Sequence, residues 1–180
     1  MATRTNFSML FLVVSGIVMV MLWVLPAKAD GELRETNMTV YFQDYSGGPN
    51  ASSLPMVGFP GKIWSVTDFG TLLVTDDRMT EGPELTSATI GRGQGISVTG
   101  LDGLNAYVSF SIVFTNEAYN GSTIEVQGNS NQFKAVREYG VVSGTGKFRY
   151  ARGYVTVETI SYDRSTYYAL LRVNVSVRHY

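Results

Sequence analysis

Apolar and polar side chains alternate along most of the chain beyond its first thirty residues. Residues 107–114, 155–159 and 171–178 each place apolar groups at every second position. A period of two is typical of half-buried β-strands, and no segment sustains the 3.6-residue period of a helix. The other candidate strands are Met38–Asp44, Phe69–Thr75, Ala88–Thr99, Thr123–Gln127 and Glu138–Val142. The pattern therefore predicts about eight strands and little helix.

The turns between these segments favour antiparallel pairing. Glycine-bearing strings such as Asp102-Gly103 and Asn120-Gly121 separate the candidate strands. Eight antiparallel strands commonly close into a barrel, which removes exposed sheet edges and leaves room inside for side chains or one small ligand. We expect an all-β fold, an eight-stranded antiparallel β-barrel, with a two-sheet sandwich as the alternative. Asn50–Gly61 is expected to be irregular and to fold over a barrel mouth.

The first thirty residues have the features of a signal peptide. Arg4 precedes the apolar run Met9–Leu25, and Ala27-Lys28-Ala29 supplies an Ala-x-Ala cleavage pattern before Asp30. The alternative is an uncleaved anchor, although the run is at the lower edge of the length needed to span a bilayer. We expect residues 1–29 to be a signal peptide and residues 30–180 to form one secreted domain without membrane attachment.

N-glycosylation sequons support export of the chain. The four acceptor residues are Asn37, Asn50, Asn120 and Asn174. A single Asn-x-Ser/Thr triplet is weak evidence, but four behind a signal peptide predict a secreted glycoprotein.

Composition narrows the possible chemistry. The net charge of −1 argues against a basic nucleic-acid binder, and the chain has no cysteine and a single histidine, His179. Thiolate chemistry and multi-histidine metal sites are therefore excluded. The glycine-rich strings at residues 91–95 and 144–146 lack the strand-turn-helix context of a phosphate site. We predict neither a metal nor a cofactor.

Several charged residues lie beside or within the candidate strands. They are Asp44, Asp76, Asp77, Arg92, Glu138 and Arg152. Such residues commonly cap strands or pair on the surface. If some point into the barrel, each buried charge costs several kcal/mol unless it is paired, and would mark a ligand site with a carboxyl suited to proton transfer. Spacing alone leaves both interpretations open.

Seven motifs, in order over nearly all of residues 38–177, resemble the plant dirigent protein family. They are Val40–Asp44, Val74–Asp77, Thr80–Pro83, Ile90–Gly95, Val141–Phe148, Ala151–Gly153 and Leu171–Val175. The resemblance implies an eight-stranded antiparallel barrel, a homodimer or homotrimer, in the plant apoplast.

The resemblance also implies phenolic chemistry. Family members in lignan biosynthesis do not oxidise their substrate; a separate laccase or peroxidase makes phenoxy radicals from coniferyl-type alcohols, and the barrel directs the stereochemistry of their coupling. We take this as the primary prediction. The alternatives are an enzyme that cyclises quinone methides in isoflavonoid (pterocarpan-type) biosynthesis, where a pocket carboxylic acid assists, and a non-catalytic phenol binder in defence.

Site residues follow from the same motifs. Asp44 matches the pocket aspartate of the family and is expected to be a proton donor or phenol anchor, with Arg152 as its charge partner and Glu138 as a further acid. Aromatic walls suit flat phenols, although a plain core role stays open for the rings. The expected substrate-binding residues are Tyr41, Phe42, Asp77, Arg92, Tyr107 and Phe110.

The chain also departs from the family pattern. Gln43 stands where many members have histidine, which is expected to alter the polarity around Asp44. Ser143 replaces a glycine, and the cysteine pair of many lignan-forming members is absent. These departures leave a divergent group with other substrates open.

Overall fold

The computed structural model describes residues 31–57 and 65–180, and it is almost entirely β-structure. One short 3₁₀ turn, Gly146–Phe148, is its sole helical element within these ranges. The strands are β1 (Arg34–Tyr45), β2 (Ser53–Val57), β3 (Leu72–Thr80), β4 (Thr89–Thr99), β5 (Asn105–Phe114), β6 (Thr123–Asn131), β7 (Val136–Thr145), β8 (Arg152–Asp163) and β9 (Tyr168–His179).

Eight of these strands form a closed antiparallel barrel. From β3 to β9 each strand pairs with the next along the chain, and β9 pairs with β1 over the whole length of both strands. The barrel closes where Tyr41–Gln43 of β1 pairs with Arg78–Thr80 of β3. The predicted eight-stranded barrel is therefore confirmed, and the sandwich alternative is not what forms.

The ninth strand, β2, was not predicted. Ser53–Val57 lies within the stretch expected to be irregular, yet it pairs with Leu72–Thr75 of β3. Its Pro55 is compatible with an edge strand, which needs hydrogen bonds on one side only. Residues 58–61 of that stretch, and the predicted signal peptide, lie outside the described residues.

A seam results because β1 and β2 share one edge of β3. Pairing with β2 ends at Thr75 and pairing with β1 begins at Arg78, so two aspartates, Asp76 and Asp77, lie between the two partners. Ser52 bridges this gap. Its N–H donates to the Tyr45 carbonyl at 2.9 Å, and its own carbonyl accepts the Asp76 N–H at 2.8 Å. We refer to this junction of Tyr45, Ser52, Asp76 and Asp77 as the β3 seam.

The predicted alternation decides which side chains enter the barrel. Val108–Phe114 and Leu171–Val177 contribute their apolar positions to the core, as expected. At one end the interior is filled, with the Phe114 and Phe148 rings 5.3 Å apart and the His179 ring 5.2 Å from that of Phe148. Full burial of each such apolar side chain contributes about 1.5–3 kcal/mol, so this end anchors the fold.

Strand β4 faces the interior with glycine rather than with large side chains. A Cβ atom at Gly93 would lie 2.7 Å from the Phe42 ring, and one at Gly95 would lie 2.3 Å from the Ser109 carbonyl oxygen and 2.4 Å from Phe110 Cβ. The glycines therefore leave space into which rings from β1 and β5 project.

No part of residues 31–57 or 65–180 forms a helix of the length and apolarity required to traverse a bilayer.

We expect Gly95→Ala to destabilise the barrel by about 2 kcal/mol or more, since the backbone oxygen it would meet cannot rotate away. Gly140→Ala is the matched control, because its Cβ would meet only the Gln127 carbonyl oxygen at 3.6 Å. Thermal unfolding of both variants checks this. Equal unfolding temperatures would contradict the close packing assigned to β4.

Candidate functional site

A cavity of about 250 Å³ occupies the end of the barrel opposite the packed rings of Phe114, Phe148 and His179. It combines acids, an arginine, hydroxyl groups and aromatic rings, and it lies beside Gly93 and Gly95 of β4. Its lining residues are Phe42, Asp44, Thr75, Asp77, Gly93, Gly95, Ile96, Ser97, Val108, Phe110, Gln132, Arg137, Tyr139, Val157 and Leu171.

Two carboxyl groups enter this cavity from neighbouring strands. Asp44 follows Val40 and Phe42 on the inward face of β1, and Asp77 precedes the buried Met79 on β3. Asp77 is only 2% exposed. Asp44 Oδ1 is buried and has no hydrogen-bond partner within the described part of the chain. Alternation thus places both acids in an interior where ionisation is costly.

The two acids have strongly raised pKa values. Burial raises the pKa of Asp44 to about 6, opposed by the positive charge of Arg137. Burial, followed by the negative charge of Asp44, raises the pKa of Asp77 to about 8. The two groups titrate as a pair: Asp44 ionises first, and its charge then holds the proton on Asp77. Near neutral pH the cavity therefore contains one carboxylic acid and one carboxylate.

Arg137 supplies the cation of the site. It lies on β7, and its guanidinium donates to Thr159 Oγ1 at 3.0 Å and to the Lys134 carbonyl at 3.3 Å. These contacts fix the side chain at the cavity. The Tyr139 hydroxyl meets the side chains of Arg137 and Ser130, and burial raises its pKa.

Aromatic rings form the apolar wall. Phe110 lies edge-on to both Phe42 and Tyr139, with centroids 6.1 and 6.4 Å apart and interplanar angles of 82° and 88°. Such edge-to-face arrangements hold the rings in fixed orientations, so flat faces and edges border the polar groups. The cavity can therefore bind a planar aromatic molecule and exchange a proton with it.

Four of the sequence-predicted site residues line this cavity. They are Asp44, Asp77, Phe42 and Phe110. The structure brings them together from β1, β3 and β5. Their roles towards a substrate stay predictions.

Arg152, the expected charge partner of Asp44, does not line the cavity, and the arginine whose charge acts on Asp44 is Arg137. Arg152 is exposed at the start of β8, and its guanidinium donates to the carbonyl oxygens of Val142 and Ala151. Glu138 is also exposed. It follows Arg137 directly, and side chains of successive strand residues point to opposite faces, so Glu138 points away from the cavity when Arg137 points into it.

Three expected substrate-binding residues also lie outside the cavity. Arg92 pairs with Asp76 on the outer face at 2.6 Å. Tyr107 is 46% exposed, and Tyr41 alternates with the core residues Val40 and Phe42. The pattern of β-strands places all three on the outer side of the sheet.

Gln43 likewise does not contact the cavity. Its side chain is buried on the face opposite Asp44, where Nε2 donates to Thr80 Oγ1 at 2.8 Å and Oε1 accepts the Tyr168 hydroxyl proton. Gln43 therefore does not act on the polarity around Asp44 through a contact in the cavity.

Sequence reasoning missed several polar residues of the site. They are Thr75, Ser97, Gln132, Arg137 and Tyr139. Arg137 was detectable, because it alternates in step with Tyr139 and Val141, both of which are buried. Gln132 lies in the β6–β7 turn, where no periodicity exists to predict its direction.

Comparison with known proteins settles the ancestry. The family model described as Dirigent-like protein matches residues 35–178. The chain belongs to the dirigent family. Among its relatives, Dirigent protein 21 of Arabidopsis thaliana is 33% identical over 145 residues, covering 80% of this chain and 77% of the relative. Pterocarpan synthase 1 of Glycine max is 35% identical over 147 residues, covering 81% and 79%.

Solved structures agree with this dirigent assignment. The pterocarpan synthase dirigent protein GePTS1 superposes with a TM-score of 0.74 at 31% identity, covering 84% of this chain and 88% of its own. The pterocarpan synthase dirigent protein PsPTS1 gives a TM-score of 0.73 at 32% identity, covering 82% and 96%.

We expect the wild-type dirigent barrel to lose stability as pH rises from about 4 to about 8. A carboxyl whose pKa is raised by folding stays protonated in the native state while the unfolded state ionises, so rising pH favours unfolding. Asp77→Asn should remove most of this dependence and stabilise the protein at pH 8 by about 2 kcal/mol or more.

The control for this measurement is Asp76→Asn. Arg92 lowers the pKa of Asp76, so its ionised form is favoured and its removal should give no gain at pH 8. Thermal unfolding of the three proteins between pH 4 and pH 8 distinguishes them. An Asp77→Asn protein that follows the wild-type pH dependence would contradict the burial of a proton on this group.

Proposed function

We propose that this dirigent protein binds one phenolic quinone methide in its cavity and catalyses stereoselective ring closure by proton transfer. The observation that carries the proposal is the buried pair of carboxyl groups, Asp44 and Asp77, which together retain one proton near neutral pH. The likeness to pterocarpan synthases in sequence and fold supports the same class of chemistry.

The proposed reaction needs no oxidant. Asp77 donates its proton to the carbonyl oxygen of the quinone methide, which becomes a phenol as the ring regains aromaticity. A hydroxyl group of the same molecule attacks the electrophilic methide carbon, forming a C–O bond, and releases its proton to the Asp44 carboxylate. Transfer of that proton from Asp44 back to Asp77 restores the site. The proton donor, Asp77, has a pKa of about 8 and the proton acceptor, Asp44, has a pKa of about 6, so both are in the required protonation state near neutral pH.

The other cavity residues orient the substrate and favour the charge distribution. Arg137 stabilises the ionised form of Asp44 and places a positive charge where negative charge develops on oxygen. Phe42 and Phe110 offer ring faces and edges to a planar phenol and exclude water from a reactive intermediate. Holding nucleophile and electrophile together then selects one face of attack.

The size of the cavity favours a single substrate molecule. Its volume of about 250 Å³ is below the ~300–1,000 Å³ typical of pockets for drug-sized ligands. One fused or linked phenolic skeleton, partly inserted, suits this space better than two independent molecules. Intramolecular closure is accordingly the reaction that we place first.

A second candidate function is stereochemical guidance of phenoxy radical coupling. A laccase or peroxidase would generate radicals from coniferyl-type alcohols, and the barrel would hold one radical for attack by another. The Phe110 ring, which lies nearly perpendicular to those of Phe42 and Tyr139, favours this candidate, because such walls can fix the plane of a phenoxy ring without any proton transfer.

The proposal includes export, glycosylation and self-association of the chain. The side chains of the four sequon asparagines, Asn37, Asn50, Asn120 and Asn174, are all exposed, which supports their use as acceptors. Location in the apoplast and a homodimeric or homotrimeric state complete the proposal.

The first prediction concerns the acid pair. With an isoflavonoid-type quinone methide generated in situ, the wild-type protein should accelerate ring closure and give one enantiomer in the absence of oxidant. Asp77→Asn should reduce kcat about 100-fold or more, since general acid catalysis contributes 10²–10⁴-fold. Arg137→Gln should reduce it as well. Loss of absorbance of the quinone methide and chiral chromatography give rate and selectivity.

The controls are Glu138→Gln and Arg152→Gln, which alter charges that the structure holds outside the cavity. Both should retain wild-type rate and selectivity. Full activity of Asp77→Asn would refute proton transfer by this pair, and racemic product with the wild type would refute the proposed function.

The second prediction concerns pH. If Asp77 must be protonated and Asp44 ionised, kcat/KM should be bell-shaped, falling below about pH 6 and above about pH 8. A rate independent of pH between 5 and 9 would contradict the assigned roles.

The third prediction separates the two candidate functions. Coniferyl alcohol and a laccase should yield racemic dimers with or without the protein if cyclisation is its activity. Formation of one enantiomer in excess, rising with protein concentration, would instead support the radical-guiding function.

A further inference from the structure

Ser52 does not line the cavity, yet it is bonded directly to one of the two cavity acids. Its Oγ donates to Asp77 Oδ1 at 2.6 Å, and the same Oγ accepts the Tyr45 backbone N–H at 2.9 Å. The hydroxyl is therefore held between the end of β1 and the portion of β3 that pairs with neither β1 nor β2. It is the side-chain counterpart of the backbone bridge that Ser52 makes at the β3 seam.

The two contacts use the hydroxyl both as acceptor and as donor. The Tyr45 backbone N–H can only donate, so it occupies one lone pair of Ser52 Oγ, and the hydroxyl proton lies on the contact with Asp77 Oδ1. With Ser52 as the donor, Asp77 Oδ1 is the accepting oxygen. When Asp77 carries a proton, that proton is left for Oδ2, the oxygen not engaged at the seam.

We propose that Ser52 is a positioning residue of the acid pair, fixing which oxygen of Asp77 carries the proton and thereby directing that proton into the cavity. This inference rests on the proposed function for its catalytic consequence. Ser52 contacts no reacting atom, and it acts through Asp77 alone.

The charged and titratable groups around Asp77 favour its protonated form, so the orientation of that proton matters. Asp44 on β1 and Asp76 on its own strand both disfavour its ionisation. Arg137 and Tyr139 line the same cavity from β7. The facing residue on β4 is Gly93, which has no side chain. The Ser52 hydroxyl is thus the neutral donor that opposes burial, and its loss should raise the pKa of Asp77 further.

The Ser52 side chain can be removed without removing the seam. The bonds from Ser52 N–H to the Tyr45 carbonyl and from the Asp76 N–H to the Ser52 carbonyl are both backbone contacts, so Ser52→Ala should keep them. This variant is therefore expected to fold and to report on the hydroxyl alone.

Ser52 is also the third residue of the sequon Asn50-Ala51-Ser52. The hydroxyl that a glycosyltransferase requires before folding is the one that contacts Asp77 afterwards. Ser52→Ala removes both features, Asn50→Gln removes only the acceptor of the glycan, and Ser52→Thr retains both. The set separates the effect of the glycan from the effect on the acid pair.

The test combines a direct titration with kinetics on the full-length secreted protein. Carboxyl carbon NMR with ¹³C-labelled aspartate follows the ionisation of Asp77, whose signal is assigned by its absence in Asp77→Asn. We expect Ser52→Ala to shift the Asp77 midpoint upward and to move the alkaline limb of the pH–rate profile with it. We also expect kcat to fall about tenfold with KM within about twofold. Ser52→Thr should restore the profile, and Asn50→Gln should match the wild type.

An unchanged Asp77 titration in Ser52→Ala would overturn the proposal, as would an Asn50→Gln variant that reproduces the shift. The NMR titration needs no substrate, so it still decides the role of Ser52 if the wild type fails to cyclise any quinone methide. A wild-type protein without cyclase activity would refute the proposed function, but the titration would still have tested the interaction between the Ser52 hydroxyl and the Asp77 carboxyl.

Discussion

The site depends on the electrostatic cost of burying two carboxyl groups in one small space. Asp44 and Asp77 enter from strands that meet only at the barrel closure, and Asp44 Oδ1 has no hydrogen-bond partner among the described residues. Ionising both would place like charges in a medium of low polarity, so one proton is retained at neutral pH. The acid–base chemistry that we propose for the cavity follows from that retained proton. The nearby Arg137 charge decides which carboxyl releases its proton first.

The pairing that closes the barrel also positions the acids of the site. The short pairing of β1 with β3 ends at Arg78, and on that edge of β3 neither Asp77 nor Asp76 has a strand partner. If one strand continued along that edge, it would pair with the backbone of Asp76 and Asp77. Ser52 would then have no room to reach the Asp77 carboxyl. The change of partner from β1 to β2 instead brings Ser52 to the gap. A local irregularity in an otherwise regular barrel thus supplies a specific donor to a buried acid.

Periodicity predicted the fold well because every barrel strand has one buried face, and burial is what a period of two reports. The same rule places Asp44 in line with Val40 and Phe42. It could not predict β2, whose single pairing buries little and imposes no alternation. Arg152 was chosen by motif rather than by face, whereas alternation with Tyr139 identifies Arg137. The partners of Arg137 and Ser52 come from turns and distant strands, and local sequence contains no signal for such contacts.

The contrast between the two ends of the barrel explains why a cavity exists at all. Towards Phe148, buried side chains from the described strands pack against one another in the interior. Towards Asp44, strand β4 contributes Gly93 and Gly95, so the opposite wall must fill the space with rings that cross only part of it. The unfilled remainder is bordered by acids on one side and aromatic edges on the other. The absence of side chains at Gly93 and Gly95 is therefore as necessary to the proposed chemistry as the presence of the acids, because only an open volume beside a protonated carboxyl can admit the oxygen that is to receive the proton.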